Sequence, residues 1–301
     1  MIPAAHAQAL GTEASFVPTS GTQTYGLDRF WNGGHRHTKK GVAIPALAWL
    51  DLTANCAYDL SVAQTPPTDE GPEEEPSRIA IYRDQLTRVV RQQARVPLRY
   101  GVTDGYYSQH NVLGGVRALR LHQIGTWRAD AHLRYLSRGP KHAGPGRPTT
   151  YDGKVLWNAL SRCEPLAIED ARIVLYQQVV HYVQVQRNPR VVLVVDTQLH
   201  RRAVLWSTDV DLDALTVYRY DKARCQIACL FRAAKPFTGL LDCQALSQAK
   251  LACHFHASLT AVTLAKLAAR QRPGHSEFPF SMASLKRRAF HQHLLDRLCA
   301  H

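Results

Sequence analysis

Arg224-Cys-Gln-Ile-Ala-Cys-Leu-Phe-Arg-Ala-Ala-Lys235, inside the stretch from Trp206 to Gln244, reads as the middle of one long basic helix that follows a strand end. Arg224, Ala228, Arg232 and Lys235 are spaced by four, eight and eleven residues from the first. At 3.6 residues per turn these spacings return close to one face. A helix that gathers its arginines and lysine on one side is suited to phosphates.

Working outward, the remaining segments alternate. Ala14–Pro18 reads as a short strand. Val42–Asp51 and Ala57–Gln64 read as two strands joined by a short link, with Pro45 marking a bulge or an edge because it has no N–H to donate. Residues 65–76 are Pro-rich and acidic, the composition of a solvated loop. Ser77 caps a helix with Ile79, Tyr82, Leu86, Val89 and Val90 on one face, and Pro97 ends it. Leu98–Thr103 is a strand with Asp104 at its end, followed by a short helix. From 119 to 207 the pattern is of strands, with Arg172–Gln186, Arg190–Thr197 and Ala203–Ser207 as an antiparallel meander. Helices are expected at 211–236, 245–270 and 283–299. By order alone this is an α/β or α+β chain.

The 301 residues carry 37 Lys and Arg against 24 Asp and Glu, a net charge of +13. Five of those acids sit together at Asp69, Glu70, Glu73, Glu74 and Glu75, so the remainder is more basic still. Such a surplus suits a polyanion, since Lys and Arg displace phosphate counterions; a basic protein with no specific partner has the same composition. No apolar run nears 18 residues and the start lacks a charged, apolar leader, so neither a membrane span nor export is expected and the location is read as cytoplasmic. The seven cysteines are odd in number. Cys225, Cys229, Cys243, Cys253, His254 and His256 cluster in sequence, but without a Cys-x-x-Cys pair, and Cys225 and Cys229 equally suit packing one turn apart.

Several blocks resemble bacterial insertion-sequence transposases of the DDE type. The helix above resembles the family's Tyr-x-x-Arg-x-x-x-Glu-x-x-x-x-x-x-Lys signature, with Arg224 and Lys235 in place, Ala228 at the Glu and Asp221 at the Tyr. Residues 11–26 resemble its first-acid block, Val102–Tyr107 its second, and Gly144–Lys154 its Gly-Arg-Pro-x-x-Tyr-Asp-Gly-Lys stretch. The resemblance implies an RNase-H-like mixed sheet flanked by helices and interrupted by a β-rich insert. The segments would be residues 1–118 and 203–301 as core and 119–202 as insert. It implies strand cleavage and transfer at transposon ends with Mg²⁺ or Mn²⁺ held by Glu13 and Asp104. Arg224, Arg232, Lys235 and Arg147 would contact DNA, and the partners would be double-stranded DNA and a second copy of the chain.

The same match carries losses. Glu13 stands where the family has Asp, Thr19 and Thr22 where it has Lys, and Ala228 offers no ligand atom. The chain also starts almost at the first-acid block, so the expectation is an N-terminally truncated, catalytically impaired member. Two other readings stay open. One is a DNA-binding remnant without catalysis. The other is a nuclease with a reassigned metal site at Glu13, Asp51 and Asp104. A strand-end Asp such as Asp104 also serves as a turn or helix cap, and Gly146-Arg147-Pro148 serves equally as a minor-groove reader or a plain basic loop.

Overall fold

The computed structural model describes residues 6–19, 21–32, 37–65, 78–93, 98–107, 110–127, 131–139, 150–157, 160–271 and 280–299. Among them are twelve strands: β1 (Gln8–Pro18), β2 (Asp28–Asn32), β3 (His37–Asp51), β4 (Cys56–Val62), β5 (Tyr100–Thr103), β6 (His122–Trp127), β7 (Leu133–Leu136), β8 (Tyr151–Lys154), β9 (Glu164–Ala167), β10 (Ile173–Tyr182), β11 (Arg190–Asp196) and β12 (Arg201–Ser207). Five helices accompany them: α1 (Arg78–Gln92), α2 (His110–Ala118), α3 (Ala214–Phe237), α4 (Gln248–Arg270) and α5 (Met282–Cys299). The chain is therefore a mixed α+β protein. None of the described helices is long and apolar enough to cross a membrane.

Two compact units form, one from Met1–Ala7, Thr12–Val89 and Cys225–His301, the other from Gln8–Gly11 and Val90–Arg224. They do not coincide with the segments 1–118, 119–202 and 203–301 expected from sequence.

In the first unit β3 is the long central strand. Its first part pairs antiparallel with β2, from Asp28 opposite Gly41 to Asn32 opposite His37, and its last part pairs with β4. Pro45 falls between those two ladders, where no N–H is needed, and its carbonyl accepts from Ala63 N at 2.9 Å. The bulge lies beyond Pro45, at a register shift between Leu47 and Ala48 that leaves Leu60 as the extra residue on β4.

Helices close the free edge of β4. Lys266 Nζ of α4 donates to Ala57 O at 2.9 Å, and Asp59 N donates to Thr263 Oγ1 at 2.9 Å. At the bulge Gln85 Nε2 of α1 donates to Ser61 O at 2.8 Å. Side chains thus occupy backbone groups that would otherwise template another strand. The face of α4 that does this is set by its period: Leu251, Phe255, Leu259, Val262 and Ala269 are buried along with Lys266.

In the second unit the first residues of β1 lie parallel to β5, Leu10 opposite Gly101 and Gly11 opposite Val102. β5 lies parallel to β6, and β6 then meets β12 antiparallel. β12, β11 and β10 form the anticipated meander, extended by β9 and by β7 with β8. Parallel strands need a crossover, and α2 with its flanking loops provides it between β5 and β6. The core centres on Trp127 stacked on Trp206, centroids 4.8 Å apart, with Leu133, Tyr182, Leu193 and Val204 around them.

Candidate functional site

β5 is buried throughout, and the chain leaves it at Asp104. Asp104 Oδ1 accepts from Tyr106 N at 3.0 Å and Tyr107 N at 3.3 Å, so the carboxylate caps the 3₁₀ turn Gly105–Tyr107. Burial pushes its pKa up, against the Tyr107 N–H, the Arg224 guanidinium and the Tyr106 N–H, which all favour the anion. Arg224 comes from α3 and lies 3.7 Å from Asp221 Oδ1, one helical turn earlier. Asp221 in turn accepts from Thr126 Oγ1 of β6 at 3.4 Å. A Cβ at Gly105 would stand 3.4 Å from Thr126 O, an ordinary van der Waals contact, so the corner is close-packed without demanding glycine. Thr126, Asp221 and Arg224 thus form a small polar link, with the Arg224 charge also acting on Asp104.

The other expected residues are placed as follows. Glu13 is half-buried on β1. Along the unbroken helix α3, Ala228 and Arg232 are exposed while Arg224 and Lys235 are half-buried. Burial also lowers the Lys235 pKa. Tyr220 points into the core instead, its ring 5.0 Å from that of Tyr100. Thr19 Oγ1 accepts from Gly21 N at 3.4 Å, and Thr22 is exposed. Arg147 and the acidic loop 66–76 lie outside the described residues.

Asp51 has a different role from the one the nuclease reading requires. It is fully buried and accepts from Arg270 Nη1 at 2.9 Å and from Ala54 N at 2.9 Å. His6 Nδ1 stands 2.9 Å from both its oxygens. A carboxylate so engaged is a structural anchor between β3, α4 and the segment before β1.

Two-metal phosphoryl chemistry needs several carboxylates converging on one point. Position 228 is an exposed alanine with no ligand atom, and Asp104 is committed to two backbone amides with a guanidinium acting on it. No group of three or more His, Cys, Asp or Glu with metal-binding geometry occurs among the described residues. These side chains do not fit a Mg²⁺ pair. Of the Cys/His cluster, His254 Nε2 stands 2.9 Å from Gly239 O, and Cys225 and Cys253 are exposed thiols.

A feature absent from the sequence reading lies on the β2–β3 ribbon. Arg29 stands opposite Lys40, and both are exposed. Like charges directly across an antiparallel pair destabilise it. A two-stranded ribbon fits a DNA major groove, where a phosphate would relieve that repulsion. Residues 37–40 are His-Thr-Lys-Lys with no apolar alternation, and the pairing register that sets Arg29 against Lys40 is not local.

Comparison of the sequence with protein-family models and with curated proteins yields no match.

Proposed function

We propose that the chain descends from a DDE-type insertion-sequence transposase, binds double-stranded DNA, and is impaired in strand cleavage and transfer. The observation that carries this reading is the corner at Asp104. An acid leaves the end of a parallel strand under the charge of Arg224, and the same helix carries exposed Ala228 where the third acid belongs. Basic side chains at Arg224, Arg232 and Lys235 keep the helix suited to phosphates. The experiment is a nicking assay with transposon-end DNA and Mn²⁺. The wild-type chain is expected to leave the DNA intact, and the E13D/A228E double variant to gain metal-dependent nicking. Cleavage by the wild-type chain would overturn the impairment, and an inert double variant would count against the descent.

The ribbon favours the second reading, a DNA-binding remnant. Replacing Arg29 and Lys40 with Ala is expected to lower the slope of log affinity against log salt by about 2, because two phosphate contacts are lost. The same variant is expected to be as stable as the wild type, or more stable by a few tenths of a kcal/mol, since a like-charge pair is removed. Salt-dependent gel shifts and thermal melting read the two effects. A preference for terminal repeats over random DNA separates transposon-end binding from general DNA binding.

A further inference from the structure

The second unit holds a cleft of about 850 Å³, walled by the end of α2, the start of β6, the turn between β10 and β11, and Thr208 with Val210. Arg117 and Arg120 enter it from the α2 end, Arg187 from the turn, and His122 from β6. No Asp or Glu is among its lining residues. The acid nearest in sequence, Asp209, accepts from Tyr100 Oη at 2.8 Å, lies 3.9 Å from Arg99, and also acts on His122 at the cleft's edge. Beneath the cations the wall is apolar, with Leu113, Val116 and Leu121 buried.

One further observation sets this cleft apart from an ordinary basic surface. Arg120 and Gln186, on opposite walls, both have φ in the left-handed region, 57° and 52°. Non-glycine residues take that conformation at a cost, and such positions gather at ligand sites. Gln123 also lines the cleft, but its amide is held by buried partners, Nε2 donating to Thr103 Oγ1 at 3.0 Å and to Tyr107 O at 3.2 Å. Three guanidiniums suit a phosphate, and an apolar wall suits a flat ring.

We propose that this cleft binds a nucleoside monophosphate unit, with the phosphate against Arg117, Arg120 and Arg187 and the base over the apolar wall. The unit is either a free nucleotide or one residue of a DNA strand. The proposal does not depend on the transposase reading.

Titration calorimetry on the full chain tests it, using deoxyadenosine monophosphate, deoxyadenosine, inorganic phosphate and a short single-stranded oligonucleotide. The monophosphate is expected to bind at least about tenfold more tightly than either the nucleoside or phosphate alone. The R117A/R187A variant is expected to lose about tenfold or more of that affinity, two charge-assisted hydrogen-bonding groups being removed. Both side chains are exposed, so its thermal melting is expected to match the wild type. R117K/R187K is expected to recover part of the loss, as Lys keeps the charge without the planar fork. An oligonucleotide that displaces the monophosphate assigns the site to a strand, and one that does not assigns it to the free nucleotide. Equal affinity for monophosphate and inorganic phosphate, or undiminished binding by R117A/R187A, would overturn the proposal.

Discussion

Asp51→Ala is expected to destabilise the first unit by about 3 kcal/mol, seen as a lower melting temperature and faster proteolysis of β3 and α4. Asp51 has no exposed side-chain surface, whereas Arg270 and His6 are 32% and 22% exposed. Removing one partner of a buried ion pair costs about 3–5 kcal/mol, because the other charge stays buried and unpaired. Partial exposure of Arg270 and His6 lets water recover some of that, which places the effect at the lower end. Arg270 also donates to Tyr58 Oη at 2.8 Å, and that contact is lost if the guanidinium swings out. Asp51→Asn keeps an acceptor for Ala54 N and is expected to cost about half as much. An Asp51→Ala chain that melts with the wild type would show that Asp51 anchors nothing.

Asp51 and Asp104 show why part of the site was legible and part was not. In sequence they look alike, each ending an apolar strand. The strands themselves were readable because alternation and apolar runs are local signals. What separates the two acids is partners. Those of Asp51 come from His6 and Arg270, 45 and 219 positions away, and nothing local announces them. The capping of Asp104 by Tyr106 N and Tyr107 N is local, and the sequence reading allowed it. Its exposure to Arg224 depends on how α3 follows β12. Asp221 shows the reverse failure. Its i,i+3 spacing from Arg224 signalled a pair that was read only as a missing Tyr. Lys266 is a further case, because a lysine in a helix reads as solvated. Here the edge of β4 needs a donor, and Lys266 is buried to give it one.

The same edge carries a carboxyl with the opposite difficulty. Asp59 Oδ1 is buried and has no hydrogen-bond partner among the described residues, although the backbone N–H of Asp59 is held by Thr263. Burial pushes its pKa up from 3.8 to about 7. The unfolded chain therefore gives up this proton near pH 4, while the folded chain keeps it until about pH 7. Stability contributed by this group falls as pH rises between those values and is constant above them. A shift of about three units corresponds to roughly 4 kcal/mol at full size. Asp59→Asn removes the ionisation but still buries an amide, so about 2 kcal/mol of stabilisation is expected at pH 8 and none at pH 4. His256, also on α4, is pushed down by burial, so its own contribution rises with pH below its usual value of 6.5. It slopes the opposite way and is common to both chains, so the difference between variant and wild type isolates Asp59. Denaturant titrations of both chains at pH 4, 6 and 8 read that difference. A gap that stays constant across the three would mean that Asp59 ionises in the folded protein as it does in water.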